Sequence, residues 1–188
     1  YARSRIWNIA CGREAIRQYL LLQTEARYLL FLDADMTYDP SVIEIMQREI
    51  QGYDIVFSGY PLRGHRIGLA GMGCIMLTRS TLEKVKIRCC EFKNGAVICE
   101  DELLEMDLFR LGSRIKKGFV LSVSHYKSQN EAKHIAPQPV GVWRRITTSA
   151  FVRYALFRAS LIVHYNIPWK LKVLLSRFLG AISKVVAT

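Results

Sequence analysis

The sequence predicts an α/β fold, in which a sheet flanked by helices is followed by a basic helical tail. Short apolar runs alternate with stretches that have the spacing of amphipathic helices, a pattern typical of this fold class. Of the 188 residues, 51% are hydrophobic and 23% are charged, so the chain can bury a sizeable core. Residues 132–188 carry nine Lys or Arg and no Asp or Glu, which separates a tail from the domain before it.

The elements of the N-terminal part follow from hydrophobic period and turn residues. Apolar residues on one face predict the first helix, and the apolar run Tyr28–Leu32 predicts a buried strand. Asp39 followed by Pro40 indicates a helix start, and Gly52 indicates a helix end. The expected elements are a helix over 3–22, a strand over 27–32, a helix from Asp39 to about Gln51 and a strand over 53–58.

The later elements are expected from similar patterns. Residues 80–83, Ser-Thr-Leu-Glu, have the pattern of a capping box, and Lys93-Asn94-Gly95 predicts a hairpin turn between two short β segments. Glu100 opens a helix that Gly112 ends. The expected order is a loop over 59–71, a strand over 72–77, a short helix, the hairpin, a helix over 100–112, a strand over 114–123, a linker after Glu131, and helices over 143–165 and 168–186.

Charge and cysteine content limit the class of protein. The net charge is +11, but residues 1–131 contribute only +2, so the basic excess belongs to the tail. The five cysteines include no Cys-x-x-Cys, which argues against a zinc site and a disulfide framework and favours a reducing, cytoplasmic compartment. No apolar run reaches the roughly 18 residues that span a bilayer. We therefore expect a domain over 1–131 and a tail over 132–188.

Asp33-Ala34-Asp35 carries the strongest chemical information in the chain. Two carboxylates follow an apolar strand at a point where they have no role in packing. An unpaired buried carboxylate is costly, so such a pair normally holds a cation or protons. The pattern favours a divalent metal held against a phosphate. The plain alternative is a strand-to-turn junction ahead of Asp39-Pro40.

Three further polar features are expected at the same edge of the sheet. They are the glycine-rich segment 71–74, the pair Glu100-Asp101, and His125. In an open α/β sheet, strand ends and the loops that follow them gather on one edge. Carboxylates and a histidine there would supply metal ligands and a spare base, and glycines would allow close approach. Singly, the glycines are more typical of a turn or bulge, and a lone histidine is more typical of a structural or surface residue. Glu100-Asp101 fits equally well a helix start that complements the helix dipole.

On these residues, the chain resembles inverting glycosyltransferases of the GT-A fold, the large family 2 group and its relatives. The matching segments are Tyr28–Asp35, Gly73–Val85, Glu100-Asp101 and His125, and the resemblance covers about residues 3–127. It implies a Rossmann-like GT-A mixed sheet with flanking helices. Enzymes of this family begin with one or two strands that hold the nucleotide base. No such strands precede the first helix, so we expect the N-terminal part of the domain to be missing.

The resemblance also implies roles for single residues. Asp33 would lie near the ribose or the metal, and Asp35 and His125 would bind Mn²⁺ or Mg²⁺ against the diphosphate. Asp101 would be the general base that deprotonates the acceptor hydroxyl, with Glu100 beside it. The implied reaction moves a sugar from a UDP- or GDP-linked donor to that hydroxyl, with inversion. Further substrate contacts are expected from Arg5, Asn8, Arg63, His65, Arg66 and Gly73.

Two other functions fit parts of the sequence. Residues 33–37, Asp-Ala-Asp-Met-Thr, match the opening motif of haloacid dehalogenase-type phosphatases, in which Asp33 would be the nucleophile, Asp35 the acid/base and Ser58 the second motif. The later motifs of that family are not clear, and segment 73–85 stays unexplained. The other alternative is a non-catalytic, glycosyltransferase-like binding module. We expect no nucleic-acid partner, because the aromatic residues do not interleave with the basic residues in a known motif.

The tail has the pattern of a helix that lies on a membrane surface. Lys170, Arg177 and Lys184 recur every seven residues among leucines and other apolar residues. Each basic residue near an anionic surface contributes roughly 1 kcal/mol to binding. A peripheral membrane location would suit an acceptor that is lipid-linked or a glycan. A helix that packs on its own domain or on a partner fits the pattern equally well.

Overall fold

The chain folds as a mixed α/β protein whose central sheet has four strands. The computed structural model describes residues 2–61, 67–69, 71–91, 97–128, 131–149, 151–156 and 158–159. The chain divides into two compact units, Tyr1–Ala150 and Phe151–Thr188. Several expected features lie outside the described residues: the loop residues Arg63, His65 and Arg66, the turn Lys93-Asn94-Gly95, and the tail residues Lys170, Arg177 and Lys184.

Helices and strands alternate along the first unit, which confirms the predicted α/β class. The helices are α1 Ala2–Gln23, α2 Val42–Glu49, α3 Arg79–Leu82, α4 Glu100–Arg110 and α5 Val142–Thr147. The strands are β1 Tyr28–Leu32, β2 Met36–Tyr38, β3 Ile55–Ser58, β4 Tyr60–Pro61, β5 Ile67–Gly68, β6 Cys74–Thr78, β7 Cys90–Glu91, β8 Val97–Ile98, β9 Ile115–Gly118, β10 Val123–Ser128 and β11 Glu131–Ile135.

The central sheet is mixed, with the strand order β1-β6-β3-β9. Strand β6 is antiparallel to both β1 and β3, whereas β3 and β9 are parallel. Strands β1, β3 and β9 therefore run in one direction and end at the same edge of the sheet. Strand β1 lies at one side of the sheet within the described residues.

Both faces of the central sheet are covered, because successive side chains of a strand point to opposite faces. Ile55 and Phe57 of β3 pack in a cluster with Leu104 and Leu108 of α4. Val56, between them, packs in a second cluster with residues of α2 and β10. This two-sided burial explains why the strands are nearly continuous apolar runs in the sequence.

A second, three-stranded sheet has the order β11-β10-β2. The strand expected over 114–123 is therefore wrong in extent, since the chain leaves the central sheet after β9 and enters the second sheet at Val123. The linker expected after Glu131 is also wrong at its start, because β11 begins there and pairs with β10. The first compact unit extends to Ala150 and includes β11 and α5.

Glycines mark two helix ends, and the predicted start of α4 at Glu100 is confirmed. Gly52 and Gly112 have φ values of 79° and 66° and follow α2 and α4, which confirms both predicted ends. Helix α2 begins at Val42, because Asp39 forms a turn by accepting from the Ser41 amide at 2.9 Å. The predicted capping box at residues 80–83 is wrong, since the side chain of Thr78 caps α3 by accepting from the Thr81 amide.

The expected loop over 59–71 contains β4 and β5, which pair as a short antiparallel ladder. The antiparallel pairing of β7 with β8 confirms the predicted hairpin segments. In the second unit, residues 151–156 and 158–159 are helical. No helix within the described part of the chain is long and apolar enough to cross a membrane.

Candidate functional site

The candidate site lies at the sheet edge where β1 and β3 end and β6 begins. Strand β6 runs against β1 in the register Leu32↔Cys74. One step further, the Asp33 amide donates to the Gly73 carbonyl at 2.9 Å. Because β6 is antiparallel to β1, the Asp33–Asp35 motif that follows β1 lies next to the glycine segment that precedes β6.

A cleft of about 620 Å³ opens at this edge. It brings together six of the predicted site residues, from α1, the turn after β1 and the start of α4: Arg5, Asn8, Asp33, Asp35, Glu100 and Asp101. Arg13 and Tyr60 also line it, and neither was singled out by the sequence. Gly73 does not line the cleft and is packed behind Tyr60.

His125 is held beside the cleft with one ring nitrogen toward Asp35. Strand β10 pairs with β2 in the register His125↔Met36, which places the imidazole next to the residue before Met36. Its Nδ1 lies 2.6 Å from the carbonyl oxygen of Pro61, which can only accept, so Nδ1 carries a proton. Nε2 then faces the Asp35 Oδ2 at 3.3 Å. The side chains of His125 and Asp35 are 9% and 50% exposed.

The His125–Asp35 pair fits a divalent metal ion. In a neutral imidazole protonated at Nδ1, the Nε2 atom carries a lone pair. The contact of Nε2 with a carboxylate oxygen is then favourable only when a proton or a cation lies between the two atoms. Histidines that ligate metals commonly donate their other nitrogen to a carbonyl, as His125 does. No group of three or more His, Cys, Asp and Glu side chains in the described residues could hold a metal ion, and the His125–Asp35 pair offers two possible ligands.

Asp33 is bound by an arginine rather than facing solvent alone. Arg13 of α1 donates to the Asp33 Oδ1 at 2.6 Å and to the Glu100 Oε1 at 2.5 Å. The guanidinium is largely buried, with its side chain 13% exposed, and it lies 6.0 Å from the ring centroid of Phe31. Arg13 therefore ties the end of β1 to the start of α4 across the cleft floor, and it neutralises carboxylate charge on both sides.

Glu100 and Asp101 form the first turn of α4. Burial raises the pKa of Glu100, and the ion pair with Arg13 opposes that rise. The Asp101 Oδ1 accepts from the Glu102 amide at 2.8 Å, as carboxylates at a helix start commonly do. Asp101 is partly exposed and lines the cleft.

Two tyrosines hold the backbone of the site. The Tyr38 hydroxyl lies 2.6 Å from the Gly73 carbonyl and 2.9 Å from the Asp33 amide, which pins the two loops together. Tyr60 lies against Gly73, where a Cβ would come within 2.9 Å of its ring. Burial raises the pKa of Tyr60 to about 12, so it stays a neutral phenol. The glycine was expected to allow a ligand close, and in this structure protein side chains occupy that space.

The site residues that were not predicted from the sequence lie in no recognisable motif. Arg13 is one of several arginines in α1, and nothing in its spacing separates it from those that face solvent. Tyr38 and Tyr60 follow the strands β1 and β3 and resemble ordinary strand residues. The pairing of Glu100 with a cation could have been anticipated, since a buried glutamate next to a helix start normally needs one.

Comparisons with known proteins bear on the fold. No protein-family model matches the chain, and no curated protein matches it. Among solved structures, the chain is similar to the crystal structure of A197 from STIV, with 21% sequence identity and a TM-score of 0.50. The match covers 70% of this chain and 77% of that chain. At this level of identity, the likeness concerns the fold alone.

Proposed function

We propose that the chain is a metal-dependent, inverting glycosyltransferase of the GT-A type, which moves a sugar from a UDP- or GDP-linked donor to an acceptor hydroxyl. The observation that carries the proposal is the His125–Asp35 pair at 3.3 Å, set beside a cleft that also contains Asp101. A metal ion and a carboxylate that can accept a proton are what displacement of a nucleoside diphosphate by a hydroxyl requires. The mixed sheet, with one antiparallel strand among parallel strands, supports the GT-A assignment.

In this proposal, the chain's own residues have separate roles. Asp35 and His125 would hold Mn²⁺ or Mg²⁺, and the ion would supply positive charge against the leaving diphosphate. Asp101 accepts the proton of the acceptor hydroxyl as its oxygen attacks the sugar carbon from the side opposite the diphosphate. A positioned base of this kind contributes roughly 10²–10⁴-fold in rate.

The donor would lie along α1. Arg5 and Asn8 line the same cleft as the carboxylates and can donate to phosphate or ribose oxygens. Arg13 holds Asp33 and Glu100 in place, so Asp33 serves the ribose side rather than the metal. In the glycosyltransferases that the chain resembles, strands that hold the nucleotide base would lie beside β1. Strand β1 is an edge strand within the described residues, so its outer side is where such strands would pair.

The test is calorimetric titration of UDP and GDP in the presence and absence of Mn²⁺, followed by donor-sugar release. We expect nucleotide binding that requires the metal and is lost in Asp35→Asn. The matched control is Glu25→Gln, an exposed carboxylate after the end of α1. Asp101→Asn should bind nucleotide normally and lose turnover. Metal-independent binding of equal strength in wild type and Asp35→Asn would contradict the proposal.

The phosphatase alternative has less support. It requires Ser58 near the phosphate, but Ser58 is 1% exposed and does not line the cleft. Its nucleophile, Asp33, is bound to Arg13. Phosphomonoester turnover that is lost in Asp33→Asn would nevertheless favour this alternative. Metal-dependent nucleotide binding without any turnover would favour the binding module.

A further inference from the structure

Cys89 and Cys99 lie one residue beyond the paired residues of the β7–β8 hairpin, which leads into α4. Strands β7 and β8 pair antiparallel in the register Cys90↔Ile98 and Glu91↔Val97. One step outward, the same register places Cys89 opposite Cys99. Directly opposite residues of antiparallel strands point to the same face, with Cβ atoms about 4.5–5.5 Å apart. Small local adjustments bring such a pair into the range of a disulfide.

Contacts around Cys89 place its sulfur at the same point. The Cys89 thiol donates to the Ile6 carbonyl at 3.6 Å, and both the Glu100 backbone and Cys99 are near enough to influence its pKa. Cys99 is the N-cap residue of α4 and makes no side-chain capping bond. Both thiols are reduced in the structure. The β register carries the pairing of Cys89 with Cys99, and the influence of Cys99 on the pKa of Cys89 is consistent with it.

We propose that Cys89 and Cys99 form a thiol–disulfide modification site, which a small disulfide such as oxidised glutathione converts to an intramolecular bond. The sulfur of Cys99 attacks the small disulfide and releases one molecule of glutathione thiol. The sulfur of Cys89 then attacks the mixed disulfide on Cys99 and releases the second. Two protein thiols are oxidised, and one glutathione disulfide is reduced to two thiols, which take up the two protons.

The order of these steps follows from burial. Cys99 is half-buried and can be reached from solvent, whereas Cys89 is 7% exposed. Burial raises the pKa of Cys89 to about 11 and also raises the pKa of Cys99, so both thiols are largely protonated at neutral pH. The exchange is therefore slow at neutral pH, and the site remains reduced in a reducing compartment.

The other cysteines are poorer partners. Cys90 is exposed, and the alternation of side chains along β7 places it on the face opposite to Cys89. Cys74 is fully buried in the second core cluster. Cys11 of α1 is exposed and is the remaining competitor for Cys89.

The bond would restrain one wall of the cleft, since Cys99 directly precedes Glu100 and Asp101. It would tie β7 to the residue on which α4 starts. The proposal of a disulfide does not depend on the proposed function, because the cross-link can be detected without any substrate.

The test uses full-length Cys90→Ser protein, oxidised with glutathione disulfide at alkaline pH, blocked with N-ethylmaleimide and digested with trypsin without reduction. Trypsin separates residues 89–93 from 94–110, so a covalent link between these peptides in Cys90→Ser identifies Cys89–Cys99. We expect that link, and we expect its absence in Cys89→Ser. Two unlinked peptides, or Cys89 linked to Cys11, would overturn the proposal.

A second measurement separates a built site from chance proximity. In a glutathione redox buffer, the ratio of bridged to reduced Cys90→Ser should be about tenfold or more higher in native protein than in urea-unfolded protein. Equal ratios would mean that the short loop closes without help from the fold, and they would overturn the proposal even if the link forms.

Discussion

At the cleft floor, one arginine forms ion pairs with two carboxylates. Arg13 contacts Asp33 and Glu100, whose side chains are 36% and 10% exposed. A buried ionised carboxylate without a partner is costly, so Glu100 depends on this contact more than Asp33 does. The raised pKa of Glu100 shows that burial outweighs the ion pair even with Arg13 in place.

Replacing Arg13 with methionine should destabilise the protein in a pH-dependent way. Loss of charged hydrogen bonds should lower the free energy of unfolding by about 2 kcal/mol at pH 7. The pKa of Glu100 would rise further above its unfolded value, so the folded protein would bind the extra proton. Stability should therefore recover as the pH falls from 7 towards 5. Urea denaturation at several pH values measures this.

Two controls make that result specific to Glu100. Adding Glu100→Gln to Arg13→Met should remove the extra pH dependence and restore part of the stability. Arg110→Met, at an exposed position of α4, should change neither. An Arg13→Met variant that becomes less stable on acidification, relative to wild type, would show that Glu100 is not the group that needs Arg13.

Gly73 is required by packing rather than by backbone angle. A Cβ at this position would lie 2.7 Å from the Met36 Cε and 3.0 Å from the Asp33 Oδ2. Gly73→Ala should therefore destabilise the protein by about 1–3 kcal/mol, the usual cost of overpacking. Gly12→Ala is the control, because nothing lies within 4 Å of its Cβ and alanine favours a helix. Equal stability of the two variants in denaturation would contradict the packing argument.

At the scale of elements, the start of α3 has a different N-cap residue from the one that the sequence predicts. The sequence favours Ser80 and the structure uses Thr78, because Thr78 ends β6 in an extended conformation and its hydroxyl reaches the Thr81 amide. Thr78→Val keeps the shape of the side chain and should lower the free energy of unfolding by about 1 kcal/mol. Ser80→Ala should change it by less than about 0.5 kcal/mol. The reverse order in thermal denaturation would favour the sequence-based cap.

Element types were predictable where local chemistry decides them, and boundaries were not where tertiary pairing does. Gly52 and Gly112 end helices because only glycine adopts the left-handed turn cheaply. The segment after β9 looks like one strand, because its apolar residues continue. The chain nevertheless divides between two sheets, since Val123 pairs with Tyr38 rather than with the central sheet. No local pattern encodes that choice.

For the molecule as a whole, the order of motifs along the chain predicted which residues line the cleft, but not which residues they contact. Asp33, Asp35, Glu100 and Asp101 line one cleft because strand ends and helix starts share an edge. The role of Arg13 could not be predicted, since it depends on how α1 lies across the sheet. The place of Gly73 behind Tyr60 likewise depends on β4, which the sequence presented as a loop.

The uneven charge of the whole chain leads to a prediction about membranes. The tail carries the basic excess, and roughly 1 kcal/mol per basic residue is available at an anionic surface. The full chain should co-sediment with vesicles that contain phosphatidylserine and not with neutral vesicles. Lys170→Glu, Arg177→Glu and Lys184→Glu together should abolish this. No binding to either vesicle would contradict this prediction.

The central claim, that Asp35 and His125 together hold a metal, is tested most directly by pulsed electron paramagnetic resonance of bound Mn²⁺. With histidine labelled by ¹⁵N, we predict a nitrogen coupling to the Mn²⁺ ion that disappears in His125→Gln. Asp35→Asn should reduce the amount of Mn²⁺ bound. Mn²⁺ that shows no nitrogen coupling, or a coupling that persists in His125→Gln, would contradict the account.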